Sequence, residues 1–332
     1  MNAALVSPTG ADERDVLSAA LRLMRGPDAS LEDWSAQPLT KHGKQRVVRY
    51  DLRARAASGA VAYQWVGKLY EDDGAARRVA TVLRQLAASD CGARGEMALP
   101  SVVAYDASRR LLLLTYEAGE SVVSAIAHQH GPVVPAIGRA LAALHGTPVS
   151  LEAITSPADV LDDLRPRVTE LCARFPGQAG ALRDALTRLE RDAPPQPAAP
   201  SFLHGDFGTA NLLWRPGRLV VLDFDRCTRG DPALDLGYLL TQLRRVTLRK
   251  PGKLPEFASL SSAILEAYQR WSPPDATLAS RVAWYEQATV VGKIHVLTFD
   301  LVRYPEAGAE RQVEAVELLR CLANARDSAR SS

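Results

Sequence analysis

The stretch FLHGDFGTANLLW, residues 202–214, places His204, Asp206 and Asn211 on one turn between two apolar runs. Twelve residues past Asn211, Asp223 and Asp225 flank Phe224 in LDFDRCTRGDPALDLG, and Asp235 follows in the same segment. Loops gripped by a rigid scaffold are where reactive groups usually lie, and two acidic loops this close in sequence suit one shared site. Phosphoryl transfer needs this combination of side chains. One carboxylate must orient an attacking hydroxyl and accept its proton, while Mg2+ takes oxygen ligands and only a few of them from protein. Asp206 is then the base, and Asn211 and Asp223 are the metal ligands. The step from Asp206 to Asn211 reproduces the D-x-x-x-x-N spacing of kinase catalytic loops. Asp225 is either a second metal contact or a capping residue, and His204 supports the loop rather than exchanging protons. Alone, Asp206 and Asn211 would read as turn and cap residues, since both types bond their own backbone. Their spacing relative to Gly205, Asp223, Asp225 and Asp235 is what favours a site.

The elements that must hold these loops are short and apolar. SFL, NLLW and LVVLDF read as strands around them, and APPQPAAP, residues 193–200, delivers the chain to the first as a stiff, non-helical connection. Upstream, QRVVRYDLRARA and AVAYQWVGKLY alternate around a Ser58-Gly59 turn and predict a hairpin. GAARRVATVLRQLAAS carries Val79, Val82, Leu83 and Leu86 at helical spacing, and LPSVVAY and RRLLLLTY read as two more strands. The first thirty residues predict a short helix and a turn, with Asp28 and Ser30 available as caps. The N-terminal part is thus a small antiparallel sheet with one main helix. From EAGE (Glu117–Glu120) onward the pattern turns helical, with AIGRALAALHG stopping at Gly146 and a kink expected at Pro166. Asp231 before Pro232 reads as a helix N-cap, and almost everything beyond Leu240 reads as helix.

HGDFGTAN and LDFDRCTRGDPALDLG together resemble the aminoglycoside phosphotransferase and choline kinase family. The first is similar to that family's H-G-D-x-x-x-x-N loop, with Gly205 where protein kinases carry Arg, and the second to its metal-binding segment. The resemblance implies an α+β, protein-kinase-like bilobal fold, with an N-terminal antiparallel β-sheet lobe and a larger, mostly helical C-terminal lobe. It implies ATP with Mg2+, and transfer of the γ-phosphoryl group to a hydroxyl of a small molecule: a sugar, an amino alcohol, an aminoglycoside or another natural product. Asp235 is implied to brace the catalytic loop, and Lys68 in WVGKLY to pair with the α- and β-phosphates. Tyr116, Glu117 and Ala118 in LLLLTYEAG are implied to offer backbone groups to adenine. KHGK, residues 41–44, sits where a glycine-rich phosphate loop would lie. One departure stands out. The helix after the third strand has no acid to pair with Lys68, which leaves Glu71, Asp72, Asp73 and Glu96 as substitutes in space. That departure motivates an alternative, a nucleotide-binding regulator of kinase fold with little turnover, against which the intact Asp206, Asn211 and Asp223 argue.

The length of 332 residues accommodates two lobes, divided as 1–116 for nucleotide (with 1–30 a helical extension) and 117–332 for catalysis and acceptor binding. A formal net charge of +2 predicts no nucleic-acid face. No apolar run approaches the roughly 20 residues of a membrane helix, and the N-terminus lacks a basic head and apolar signal core, so a cytoplasmic placement is expected. Cys91, Cys172, Cys227 and Cys321 form no CxxC pair and read as buried free thiols. His128 and His130 in AHQHGP cannot share one helix face and read as a polar helix end rather than a metal pair. LRRVTLRK, residues 243–250, reads as a solvated helix end, and Trp271, Trp284, Tyr285 and Tyr304 as helix packing. No GxSxG, HExxH or GxGxxG supports a hydrolase, a zinc protease or a dinucleotide binder. From Asp231 onward 12 acidic face 13 basic side chains, a balance that favours a sugar, amino alcohol or natural-product hydroxyl over a polycation.

Overall fold

A computed structural model describes residues 10–39, 46–89, 91, 97–300 and 308–330. The KHGK turn at 41–44, Glu96 and Tyr304 lie outside them. The chain divides into two compact units, Met1–Ala87 with Pro100–Glu117, and Ala88–Leu99 with Ala118–Ser332.

The first unit opens with α1 (Gly10–Arg25), β1 (Ser30–Pro38), β2 (Arg46–Ala56), β3 (Gly59–Leu69) and α2 (Asp73–Ala88). After β4 (Met97–Ala98), which pairs in the second unit, it closes with β5 (Val102–Asp106) and β6 (Leu111–Thr115). Five strands form an antiparallel sheet in the order β1-β2-β3-β6-β5. The period of two along β2 sends Val48, Tyr50, Leu52 and Ala54 into the core. Val16, Leu17, Ala20 and Leu21 of α1 join the same core, together with Trp65, Leu111 and Leu113. The antiparallel sheet with α2 as its main helix is as expected, and α1, the helix of the N-terminal extension, adds its apolar side chains to the core of that sheet. The sheet face that receives this helix is built mostly by β2, β3 and β6, so a local reading of α1 does not reveal the placement. Ser30, expected as a helix cap, is instead the first residue of β1. α2 buries Val79, Val82, Leu83 and Leu86, as their spacing predicts.

The second unit comprises β7 (Glu120–Ser121), α3 (Val122–Ala127), α4 (Val133–His145), β8 (Ile154–Thr155), α5 (Pro157–Arg174), α6 (Ala179–Arg191), β9 (Ser201–Leu203), β10 (Leu212–Arg215), β11 (Arg218–Val221) and β12 (Thr228–Gly230). Four helices complete it: α7 (Ala233–Arg249), α8 (Phe257–Gln269), α9 (Leu278–Phe299) and α10 (Gly308–Arg330). Two small sheets, β4-β11-β10-β7 and β8-β12-β9, grip the reactive loops. One loop runs from β9 to β10 and the other from β11 to β12. α7 crosses α9 closely at Gly237, where a β-carbon would lie 2.7 Å from the Glu286 nitrogen. Asp231 accepts the Ala233 N–H at 3.0 Å at the start of α7 and is also ion-paired, fully buried, with Arg281 at 2.7 Å. α5 runs through Pro166 as one helix, behind a Ser156–Asp159 capping box.

Other expectations are revised by packing. The basic run at the end of α7 is not wholly solvated: Arg245 pairs with Glu314 of α10 at 2.5 Å, and Arg244 with Glu286 of α9 at 2.8 Å. Trp284 and Tyr285 are buried helix packing, whereas Trp271 is 56% exposed. The four cysteines are free, Cys91 and Cys227 buried and Cys172 and Cys321 half-buried. No helix among the described residues is long and apolar enough to cross a membrane.

Candidate active site

His204 leaves β9 completely buried, and its ring ties the two loops together. Its Nε2–H donates to the Leu222 carbonyl at 2.9 Å, while its Nδ1 accepts the Asp206 N–H at 3.3 Å. These partners select the tautomer with the proton on Nε2. The ring also packs edge-on against buried Phe207 and at a tilt against buried Phe224, at centroid distances of 5.7 and 4.8 Å. Gly205 follows with a φ of 75°, and a β-carbon there would sit 2.1 Å from the Arg226 carbonyl oxygen. Only glycine fits both the left-handed backbone and the close approach of the second loop.

Asp235 holds this turn from the first turn of α7. Its Oδ2 accepts the His204 N–H at 2.7 Å and its Oδ1 the Gly205 N–H at 2.9 Å. Behind it, His145 at the end of α4 lies 3.2 Å from Oδ2, and the Tyr268 hydroxyl of α8 lies 3.0 Å from His145 Nδ1. Three helices thus converge on one buried carboxylate.

Asn211 clasps Asp206. Its Nδ2 donates to the Asp206 carbonyl at 2.9 Å and to the Asp206 Oδ2 at 3.3 Å. With the amide nitrogen committed to Asp206, the Asn211 Oδ1 is the atom left for a cation. The β10–β11 ladder pairs Leu212 with Val221, and the Leu222 N–H reaches the Asn211 carbonyl at 2.9 Å. Asp223 is therefore the residue next to Asn211's cross-strand neighbour. It adopts a φ of 64°, a left-handed conformation uncommon for a residue other than glycine and frequent at functional sites. An amide oxygen and a carboxylate, with no nitrogen or sulfur donor, make a set suited to a hard cation such as Mg2+. Asp225, half-buried, lies one residue beyond the buried Phe224.

Residues that sequence reasoning missed complete the surroundings of Asp206. Tyr238 of α7 lies close enough to Asp206 to feel its charge: burial, followed by the charge of Asp206, pushes that phenol up. Lys293 of α9 lies with its Nζ 5.4 Å from the centre of the Tyr238 ring. Burial, reinforced by the charge of Arg245, brings its ammonium down to about 8, while Asp206 acts in the opposite sense. Tyr238 and Lys293 sit on long helices whose patterns read as packing, so no local signal marks them.

The sequence profile of the phosphotransferase enzyme family matches residues 45–288, which include every loop residue described above. The chain belongs to that family. A search of curated proteins finds no match by sequence. Among solved structures, this phosphotransferase is similar to the macrolide 2'-phosphotransferase MphH from Brachybacterium faecium, with 20% identity, a TM-score of 0.55, and 92% of this chain and 97% of that one covered. It is also similar to APH(2")-IIa in a streptomycin–ATP ternary complex, with 16% identity, a TM-score of 0.54, and 95% and 99% covered. A third is the choline kinase LicA from Streptococcus pneumoniae, with 14% identity, a TM-score of 0.56, and 93% and 99% covered. At these identities the structural likeness concerns the fold, which is α+β and protein-kinase-like. Family membership makes the chain a small-molecule kinase.

In the first unit of the phosphotransferase, Lys68 is buried on β3 between Val47 of β2 and Leu112 of β6. Of the acids weighed as its partner, Asp72 caps α2 through the Gly74 and Ala75 N–H groups, and Asp73 bonds Tyr105 and Arg77. In the segment expected to meet adenine, the Tyr116 N–H is taken by the Gln64 carbonyl at 2.9 Å, and the Ala118 carbonyl accepts from Arg215 at 2.6 Å. The Glu117 carboxylate accepts from the Thr115 hydroxyl at 2.8 Å. A cavity of about 1250 Å3 in the second unit has Trp271, Trp284, Asp231 and Arg281 in its wall. Asp206, Asn211 and Asp223 do not line it, and it reaches the network behind Asp235 through His145 and Tyr268.

Proposed function

We propose that this phosphotransferase moves the γ-phosphoryl group of ATP to a hydroxyl of a small molecule, with Asp206 as catalytic base. The observation that carries the reading is the clasp of Asn211 on Asp206, which aims a carboxylate and an amide oxygen from one turn while Asp223 stands across the ladder. Asp206 accepts the proton as the acceptor oxygen bonds to the γ-phosphorus and the bond to the β-bridging oxygen breaks, leaving ADP. Asn211 and Asp223 hold Mg2+, with Asp225 a further contact; when bound, the ion neutralises charge on the phosphate oxygens. His204 and Asp235 keep the loop in place. Lys68 is assigned to the α- and β-phosphates. The adenine contacts fall to the Tyr116 carbonyl and the Ala118 N–H, because the partner groups of those residues are already bonded within the chain, and Glu117 supplies the backbone between them. Neighbouring structures bearing ATP support the choice of nucleotide.

The acceptor is a sugar, amino alcohol or natural-product hydroxyl carrying few positive charges. Lys293, Arg226 and Arg245 all act electrostatically on the surroundings of Asp206, and a polycation would meet like charge there. A coupled assay of ADP release across a panel of hydroxyl compounds, with and without Mg2+, tests the reading. Mg2+-dependent turnover that disappears in Asp206→Asn is the expected result. Thermal stabilisation by ATP with no turnover on any acceptor would overturn it in favour of a regulator.

A further inference from the structure

Away from Asp206, the described residues hold one group of three metal-capable side chains: Glu120, His128 and His130, whose ligand atoms all lie within 4.8 Å of one another. The expectation that the two histidines cannot meet assumed a continuing helix, on which they would lie about 200° apart. The structure corrects this because α3 ends at Ala127. Gln129 turns to a φ of 54°, and the His130 N–H folds back to the Ala125 carbonyl at 2.9 Å. The chain reverses between the two imidazoles and brings their centroids to 5.5 Å. Both then face one carboxylate, with His128 Nδ1 2.9 Å from Glu120 Oε1 and His130 Nε2 3.0 Å from Glu120 Oε2.

We propose that Glu120, His128 and His130 bind one divalent cation of the Zn2+ class, at a site separate from Asn211 and Asp223. Two imidazoles and a carboxylate are a donor set that Zn2+ and Co2+ accept with a fourth position open, whereas Mg2+ requires oxygen. Tetrahedral bonds of about 2.0–2.1 Å separate ligand atoms by about 3.3 Å; the two nitrogen–oxygen contacts, each to a different oxygen of Glu120, lie within a few tenths of an ångström of that, and the other separations, up to 4.8 Å, close as the side chains turn onto one ion. His128 and His130 are 61% and 48% exposed, which leaves the fourth position to water. The Glu120 carboxyl is held below its ordinary range, chiefly by a hydrogen bond from Ser124, against the effect of burial, and further by the two histidines. Glu120 pairs with Trp214 on β10, the strand that follows Asn211, so the bound ion would clip the end of α3 to the sheet that carries the reactive loops.

Chelator-stripped protein without a histidine tag, titrated with Co2+ in the absence of nucleotide, is expected to take one ion per chain. A ligand-field absorption that Zn2+ displaces is the signature. His128→Ala and His130→Ala should each weaken binding by at least ~10-fold, the loss that even outer-sphere partners carry, and the double variant should abolish the signal. Zn2+ should raise the Tm of the wild type and not of the double variant. The proposal is overturned if the wild type gives no signal, or if the signal survives in the double variant. It is equally overturned if Asp223→Asn, shown native by circular dichroism, loses the signal while the double variant keeps it.

Discussion

Asp235, wholly buried at the head of α7, accepts the His204 N–H at 2.7 Å through the same oxygen that His145 approaches to 3.2 Å. A helix thirty-one residues on thereby sets the backbone two residues before Asp206, the proposed base. Asp235→Asn would present an N–H2 group where backbone donors converge. The expected cost is about 2–4 kcal/mol of stability, read from urea unfolding, because a buried charged acceptor is lost and its donors are left short of partners. Turnover should fall while nucleotide affinity holds.

Asp206→Asn keeps the shape of the loop and the Asn211 contact but removes the carboxylate proposed to accept the proton. Turnover should drop by roughly 10²–10⁴-fold with an unchanged dependence on Mg2+. Asn211→Ala should differ in kind. It withdraws an oxygen donor and releases the Asp206 carboxylate, so the Mg2+ concentration for half-maximal rate should rise as turnover falls. Rates measured against Mg2+ concentration separate the two.

Gly205 and Gly217 share nearly the same φ, 75° and 77°, but only Gly205 has a neighbour in the way. Gly217→Ala should cost about 1–2 kcal/mol, the ordinary penalty of a left-handed alanine. Gly205→Ala should cost clearly more, on the order of 3 kcal/mol or above, since the carbonyl of Arg226 must also move. Equal losses in chemical unfolding would contradict the close packing of the two loops.

Lys293 sets a pH dependence whose sign follows from linkage. The unfolded chain keeps this proton up to about 10.5, whereas the folded chain releases it near 8. Across that window the unfolded state binds more protons, so stability rises with pH. Lys293→Met lacks the effect. The unfolding free energy of the wild type minus that of the variant should therefore climb between pH 8 and 10.5, by an amount on the order of 1–3 kcal/mol. Urea titrations at several pH values in that window measure it, and a flat difference would refute the burial of the ammonium.

The residue order by itself determined the hairpin around Ser58-Gly59, the apolar face of α2, the strands that grip residues 204–211, and the clustering of His204, Asp206, Asn211 and Asp223. These are short-range matters, set by periodicity, turn chemistry and spacings of a few residues. Tertiary structure alone decided that α1 belongs to the core, that His145 and Tyr268 stand behind Asp235, that Tyr238 and Lys293 flank Asp206, and that His128 and His130 meet across a reversed turn. Each of the first three joins segments tens of residues apart through helix packing, and the last turns on where one helix stops. Neither leaves a local pattern, because a side chain facing a partner from another element occupies the same helical register as one facing ordinary core.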